Sequence, residues 1–261
     1  MTITAWPLCW VVALAAEARP LLDRYSFSRL EDKPFPLYHS IKDNMHLVIS
    51  GMGKVNSAAA TAWLGAQLSS QRIWINLGIA GHKDAPINSG YWVDKIVDSA
   101  SGNCYYPTIL FPWQTAAIEC HNKLQTDYPA SSLVDMESSG FFPTASLFTY
   151  QELVHLYKLV VDNEDHLPTR AKEILQNHNW TQLWQEVLSL RQLAGKQLAK
   201  AQEMNEKATE WEKTLSERFH FTASNLAQLR QLLKKRWILG DGYPSKLQAK
   251  NTAELLKELA K

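Results

Sequence analysis

The sequence is short of the features that mark several broad protein classes. Its 261 residues carry 27 Lys and Arg against 26 Asp and Glu, a formal net charge of +1. No excess of one sign therefore points to nucleic acid or an anionic surface as partner. Cysteine is scarce: Cys9, Cys104 and Cys120 are an odd count at irregular spacing. They imply no disulfide framework and fit a reducing, cytoplasmic setting. No apolar run approaches the roughly 20 residues of a bilayer-spanning helix, so no membrane partner is expected. The stretch Trp6 to Ala16 is apolar and ends in Ala13-Leu14-Ala15, but no Lys or Arg precedes Arg19. Without a positive leading segment it reads as a buried first strand rather than a secretory signal. Internal repeats and low-complexity tracts are absent, and the ten tryptophans are scattered. His82, Cys104, Cys120, His121 and His166 match no zinc spacing, so no metal or other cofactor is expected. A nucleophilic pair of Cys120 and His121 is not expected either, since neighbours in sequence seldom face each other.

What is present is an ordinary globular balance of 46% apolar and 20% charged residues. Up to about residue 165, short apolar runs alternate with amphipathic stretches, the pattern of an α/β sheet protein. Strands are expected at Trp10–Leu14, His46–Ser50, Ile73–Leu77, Tyr91–Val97, Ser132–Met136 and Leu156–Val161, with a helix over Asn56–Leu68. Segment 98–130, with Pro107, Pro112 and Pro129, reads as loop-rich. Beyond residue 167 the composition turns to Leu, Gln, Glu, Lys and Ala, with Pro168 suited to a first helical turn. A long helix is expected over Thr181–Leu215. A second follows, capped by Thr222 or Ser224 and reaching Trp237, and a last one is capped by Asn251 or Thr252. Gly240-Asp241-Gly242-Tyr243-Pro244 marks the turn between the last two.

Three carboxylates stand beside short apolar runs: Glu17 after Trp10–Leu14, Glu137 in Leu133-Val134-Asp135-Met136-Glu137, and Asp162 closing Leu159-Val160-Val161. In open α/β sheets ligands bind beyond the carboxyl ends of strands, so acids repeated there suggest one pocket. Two glycine-containing turns accompany them. Ser50-Gly51-Met52-Gly53-Lys54-Val55-Asn56 lets backbone approach a ligand at a helix N-terminus, yet it lacks the glycine spacing and Ser/Thr of a phosphate-binding P-loop. Asn76-Leu77-Gly78-Ile79-Ala80-Gly81 reads as a second such turn.

Taken in order, five segments resemble the successive signatures of the purine nucleoside phosphorylase and nucleosidase superfamily. They are Ala13-Leu14-Ala15-Ala16-Glu17, Ser50–Val55, Asn76–Gly81, Val134-Asp135-Met136-Glu137-Ser138 and Val161-Asp162-Asn163. Among its branches the methylthioadenosine/S-adenosylhomocysteine nucleosidases are the most similar. The resemblance implies a three-layer nucleoside phosphorylase-like α/β fold with a twisted mixed central sheet over residues 1–204, followed by a helical C-terminal extension over 205–261. It implies a small purine nucleoside as substrate and a homo-oligomer as the assembly. Asp162 is implied as a proton or hydrogen-bond donor to N7 of the departing base, and Glu17 as the group that orients or deprotonates water. Glu137 would accept hydrogen bonds from the ribose hydroxyls while Met136 packs on the sugar. Gly53, Ile79, Gly81 and Asn163 complete the implied substrate contacts.

Hydrolysis is favoured over phosphorolysis. Phosphorylases of the superfamily hold phosphate with arginine, whereas Asn76 stands where one such arginine is expected, and Ile79 replaces a serine. Arg19 and Lys54 are the cations able to reverse that choice, with phosphate then a second substrate. Val161 departs from another usual serine, and the segment from Gly90 to Val134 is short for the family. That segment normally supplies the aromatic that stacks on the base, leaving Tyr105, Tyr106, Phe111 and Trp113 as candidates. Two other classes remain. One is a nucleoside-binding protein without turnover, against which the retained acids speak. The other is an interaction module in which Arg230, Lys234, Lys235 and Arg236, flanking Leu226, Leu229, Leu232 and Leu233, meet an anionic partner; nucleic acid in that role is disfavoured against a helix that simply packs on the core.

Overall fold

The computed structural model describes residues 6–68, 71–125, 127–165, 170–244 and 247–260. His166 and Pro168 lie outside them. The chain divides into two compact units, Met1–Ala194 and Gly195–Lys261.

In the first unit, β1 (Leu8–Val12) leads into α1 (Ala15–Arg24), and β2 (Ser28–Glu31), β3 (Leu37–Ser40) and β4 (Met45–Ile49) follow. Helix α2 (Lys54–Gln67) precedes the long strands β5 (Ile73–Gly81) and β6 (Gly90–Asp98). Then come β7 (Cys104–Tyr105), β8 (Thr115–Cys120), β9 (Ser132–Asp135) and α3 (Ser138–Ala145). Strand β10 (Val154–Asp162), α4 (Ala171–Asn177) and α5 (Thr181–Ser216), which runs through the boundary between the units, complete the order.

One mixed sheet joins the strands in the order β10-β6-β8-β9-β5-β1-β4-β3-β2, with β7 beside β6. It also closes on itself, because β5 pairs in parallel with β10 from Trp74 to Gly81 and meets β9 at Gly81 and Val134. The circuit β5-β10-β6-β8-β9 therefore gathers the carboxyl ends of β5, β9 and β10 in one place. Side chains alternate across the sheet. Leu8, Trp10 and Val12 of β1 face one core with Leu21 of α1, Leu175 of α4 and Leu183 of α5. Cys9 and Val11 face the other core with Ala60 and Leu64 of α2 and Phe141 of α3. This is the three-layer α/β arrangement expected from the sequence.

Several elements differ from the sequence expectation, each for a local reason. Strand β1 ends at Val12 rather than Leu14, because the Ala13 and Leu14 amides donate to the Glu17 carboxylate at 2.8 Å each and turn the chain into α1. Segment 98–130 holds β7 and β8 rather than loop alone. In Thr115–Cys120 only Ile118 and Cys120 are buried, too few to give a strand pattern. Strand β2 has no buried residue, so it carries no alternation to read. The stretch Asn76–Gly81 is no turn: it lies wholly within β5.

The second unit has its own small core. Leu229 and Leu233 of α6 (Ala223–Leu239) pack with Leu255, Leu256 and Leu259 of α7 (Thr252–Leu259), Ala208 and Leu215. Thr222 caps α6 by accepting from the Asn225 amide at 3.3 Å, and Asn251 caps α7 by accepting from Glu254 at 3.0 Å. Gly240 ends α6 in the left-handed conformation, φ 78°, which glycine adopts without a Cβ clash. The leucine face of α6 thus belongs to the core of this unit, and Arg230 is paired with Glu212 at 2.6 Å.

Helices α2 and α3 meet where α3 has no side chain: a Cβ on Gly140 would overlap the Lys54 carbonyl oxygen and lie 2.9 Å from its Cα. Backbone cannot retreat as a side-chain tip can. Gly140→Ala is therefore expected to destabilise the protein by about 1–3 kcal/mol in denaturant unfolding.

Candidate active site

The carboxyl ends of β1, β5, β9 and β10 surround a small cavity of about 110 Å³. Glu17, Ile79, Gly81, Met136, Glu137 and Asp162 all line it. The three acids that are far apart in sequence thus face one space. Each arrives differently: Glu17 from the first turn of α1, Glu137 as the residue capping α3, and Asp162 as the last residue of β10.

Glu17 is 2% exposed, and its carboxylate accepts from three backbone amides. Oε2 takes Ala13 and Leu14, and Oε1 takes Ile79 at 3.0 Å. A carboxylate has about four acceptor positions, so one remains for water. Burial raises its pKa to about 7 against the lowering effect of Lys158 and the amide donors. Glu137 accepts from the Gly53 amide at 2.8 Å through Oε1, while Oε2 has only a long contact of 3.4 Å to the Met136 amide. Burial, reinforced by Asp135, holds its pKa above the usual carboxylate range although Lys158 opposes.

Gly53 does not line the cavity itself. Its φ of 94° turns its amide at the N-terminus of α2 toward Glu137, so a protein carboxylate takes the place of an anionic ligand there. Asp162 is 5% exposed, and burial raises its pKa although the Tyr128 hydroxyl, donating to Oδ2, opposes the shift.

Beneath the acids lies a fully buried cation that the motifs did not flag. Lys158 sits in mid-β10, with its Nζ 2.8 Å from Asp135 Oδ2. Burial alone pulls the ammonium pKa down, but Asp135, Glu137 and Glu17 outweigh it and leave the pKa raised. Its cross-strand partner is Gly78, where a Cβ would lie 2.8 Å from Nζ and 3.3 Å from Glu17 Oε1. The signal in the sequence was a lysine inside the apolar run Leu156-Tyr157-Lys158-Leu159-Val160.

Some expected contacts are not brought here. Asn163 Nδ2 donates to the Ala85 carbonyl at 3.3 Å and Oδ1 accepts from the Asp165 amide, placing the side chain at a separate cavity. It is one residue past the strand end, where alternation turns it from the acids. The aromatic candidates are elsewhere too. Phe111 stacks on Trp113, which stacks on Trp92, while Tyr105 packs against Phe142 and Tyr106 is exposed. Among the described residues, the aromatic that does line the cavity is Tyr128. Of the two cations able to bring phosphate, Arg19 pairs with Asp23 at 2.9 Å and Lys54 with Asp98 at 2.7 Å, and neither lines the cavity. Asn76 donates to the Val11 carbonyl at 2.9 Å, tying β5 to β1. Cys9 and Cys120 are buried with thiol pKa values pushed up to about 12, largely by that burial. Among the described residues no three His, Cys, Asp or Glu side chains are grouped to hold a metal ion.

No protein-family model and no curated protein matches the sequence. Solved structures do. The fold is similar to 5′-methylthioadenosine nucleosidase of Arabidopsis thaliana in apo form, with TM-score 0.55, 21% identity, and coverage of 66% of this chain and 88% of that one. The 5′-methylthioadenosine/S-adenosylhomocysteine nucleosidase of Colwellia psychrerythraea 34H in complex with adenine gives 0.55, 17%, and 73% and 96%. A futalosine hydrolase mutant of Helicobacter pylori strain 26695 gives 0.52, 14%, and 66% and 94%. The chain has the α/β fold of these nucleosidases.

Removing Lys158 leaves buried acids without their counter-charge. Lys158→Met is expected to cost about 3–5 kcal/mol in denaturant unfolding, and the added change Asp135→Leu to recover much of it. Equal stability of Lys158→Met and the parent would show that the pair carries no such role.

Proposed function

We propose that the Met1–Ala194 unit hydrolyses the N-glycosidic bond of a purine nucleoside of the adenosine type, releasing the free base. One observation carries this reading: the carboxyls of Glu17, Glu137 and Asp162 line a single cavity. Cleaving the bond between C1′ and N9 builds positive charge on the ribose and negative charge on the base. Asp162, whose pKa burial raises, is suited to give a proton or hydrogen bond to N7 as the base leaves. Glu137 has acceptor capacity at Oε2 for the ribose hydroxyls, and Met136 lies beside it against the sugar. Glu17, with a pKa near 7 and one acceptor position remaining, is suited to hold and deprotonate the attacking water.

Water as nucleophile is favoured because the lining near Glu17 is anionic and Asn76 and Ile79 offer nothing to an oxyanion. Among the described residues that line the cavity, Lys123 is the one Lys or Arg. The nucleosidases of similar fold support the same reaction class, and the fit of adenine to one of them supports a purine.

The test is a panel of purine nucleosides, incubated with and without phosphate and assayed for free base and for ribose against ribose-1-phosphate. Free ribose independent of phosphate is the expected product; ribose-1-phosphate would replace hydrolysis by phosphorolysis, and release of no base from any nucleoside would remove the reading. Asp162→Asn should lower kcat by about 10²–10⁴-fold while nucleoside still binds. Full activity in that variant would refute the acid role. A base must be ionised to act, so kcat/KM should rise with pH through about 7, the value of Glu17. Glu17→Gln should slow turnover and abolish that rising limb, and a profile unchanged in the variant would assign the water to another group.

A further inference from the structure

Tyr128 is absent from the roles assigned above, yet it is the side chain most intimate with the proposed acid. It stands in the connection between β8 and β9, is 6% exposed, and donates its hydroxyl to Asp162 Oδ2. Its ring lies flush on β5 at Gly81, where any Cβ would overlap the ring and come 2.7 Å from Asp162 Oδ2. The space left beside Tyr128 is about 110 Å³. Sites for small molecules are typically about 300–1,000 Å³, so a nucleoside does not fit with the ring in place.

Resting on the nucleosidase reading, we infer that Tyr128 is an internal stand-in for the purine: its ring fills the base subsite, its hydroxyl takes the place of N7 at Asp162, and nucleoside binds by displacing it. The two occupants use the acid in opposite senses. The phenol donates to Asp162, which suits a carboxylate, whereas N7 has only a lone pair and needs a proton on Asp162. Exchange of tyrosine for purine therefore draws the carboxyl toward its protonated form, so base binding takes up a proton. The free site stays filled and keeps water from the acid until a ring of the right size and acceptor pattern arrives. A base lacking an acceptor at the N7 position gains nothing from Asp162 to offset the lost phenol, so Tyr128 sets a threshold of affinity that such a base does not reach.

The test is adenine binding by calorimetry to the full-length protein, to Tyr128→Phe and to Tyr128→Ala, with thermal unfolding as the control for folding. The phenylalanine keeps the ring and removes only the hydroxyl, so it is the variant least disturbing to the fold. A hydrogen bond to a charged acceptor is strong enough that its removal should tighten adenine binding by roughly tenfold or more in Tyr128→Phe. In the same variant KM for nucleoside should fall more than kcat changes. The adenine-to-7-deazaadenine affinity ratio should stay the same while both affinities rise, since both bases displace the phenol and only adenine gains Asp162. If the parent binds adenine and both folded variants bind it equally or more weakly, the stand-in is wrong while the nucleosidase reading survives. If neither parent nor variants bind adenine and none releases base, the nucleosidase reading falls and the stand-in with it.

Discussion

The arrangement depends on Lys158. Glu17, Glu137 and Asp162, which burial makes reluctant to ionise, converge close to a fourth carboxylate, Asp135. Like charges held this close in a poorly solvated space repel strongly, and a fold assembled around them needs an equally buried cation. Lys158 supplies it from the middle of β10, 2.8 Å from Asp135 and in register with Gly78, whose missing side chain gives the ammonium room. The pair is unusual in being fully enclosed. Its consequence reaches the surface of the cavity, since the same cation lowers the pKa of both Glu17 and Glu137 against the pull of burial. The chemistry at the cavity is therefore set one layer below it.

The second constraint is topological. Strand β5 pairs with β1 over its first half, with β10 over most of its length, and touches β9 at Gly81. Acids that leave β1, β9 and β10 would splay apart along an open sheet. Here the closed circuit turns the strand ends toward each other. The two glycines of β5 serve that closure. Gly78 makes room for Lys158 and Glu17, and Gly81 makes room for Tyr128 and Asp162. Glycine within a strand weakens it locally, and its place here is explained by what approaches the backbone.

Much of this was legible in the residues, though not all for the reason expected. Gly78 and Gly81 stood out as glycines do, but read as a turn, because a glycine that bends the chain and one that admits a neighbour look alike in a sequence. Tyr105, Tyr106, Phe111 and Trp113 were reasonable aromatic candidates by position. The structure commits Phe111 and Trp113 to a stack on Trp92, and Tyr105 to Phe142. Tyr128 stood in a segment read as loop-rich, without periodicity to mark it as inward-facing. Asn163, adjacent to an acid, was carried to the other side by the alternation of a strand and by its bond to Ala85. The helices of the second unit were the most readable part, since Thr222 and Asn251 cap them through local hydrogen bonds that adjacent residues fix.

The order of acids and glycines, the alternation of strand and helix, and the caps of the C-terminal helices were determined by the sequence, because each rests on interactions between residues only a few positions apart. Which side chains share a cavity was decided by the tertiary structure. The ion pair between Lys158 and Asp135, the bond from Tyr128 to Asp162, and the meeting of Gly53 with Glu137 all join residues distant in the chain. Such contacts depend on strand register and on closure of the sheet, and neither leaves a periodic mark in the residues themselves.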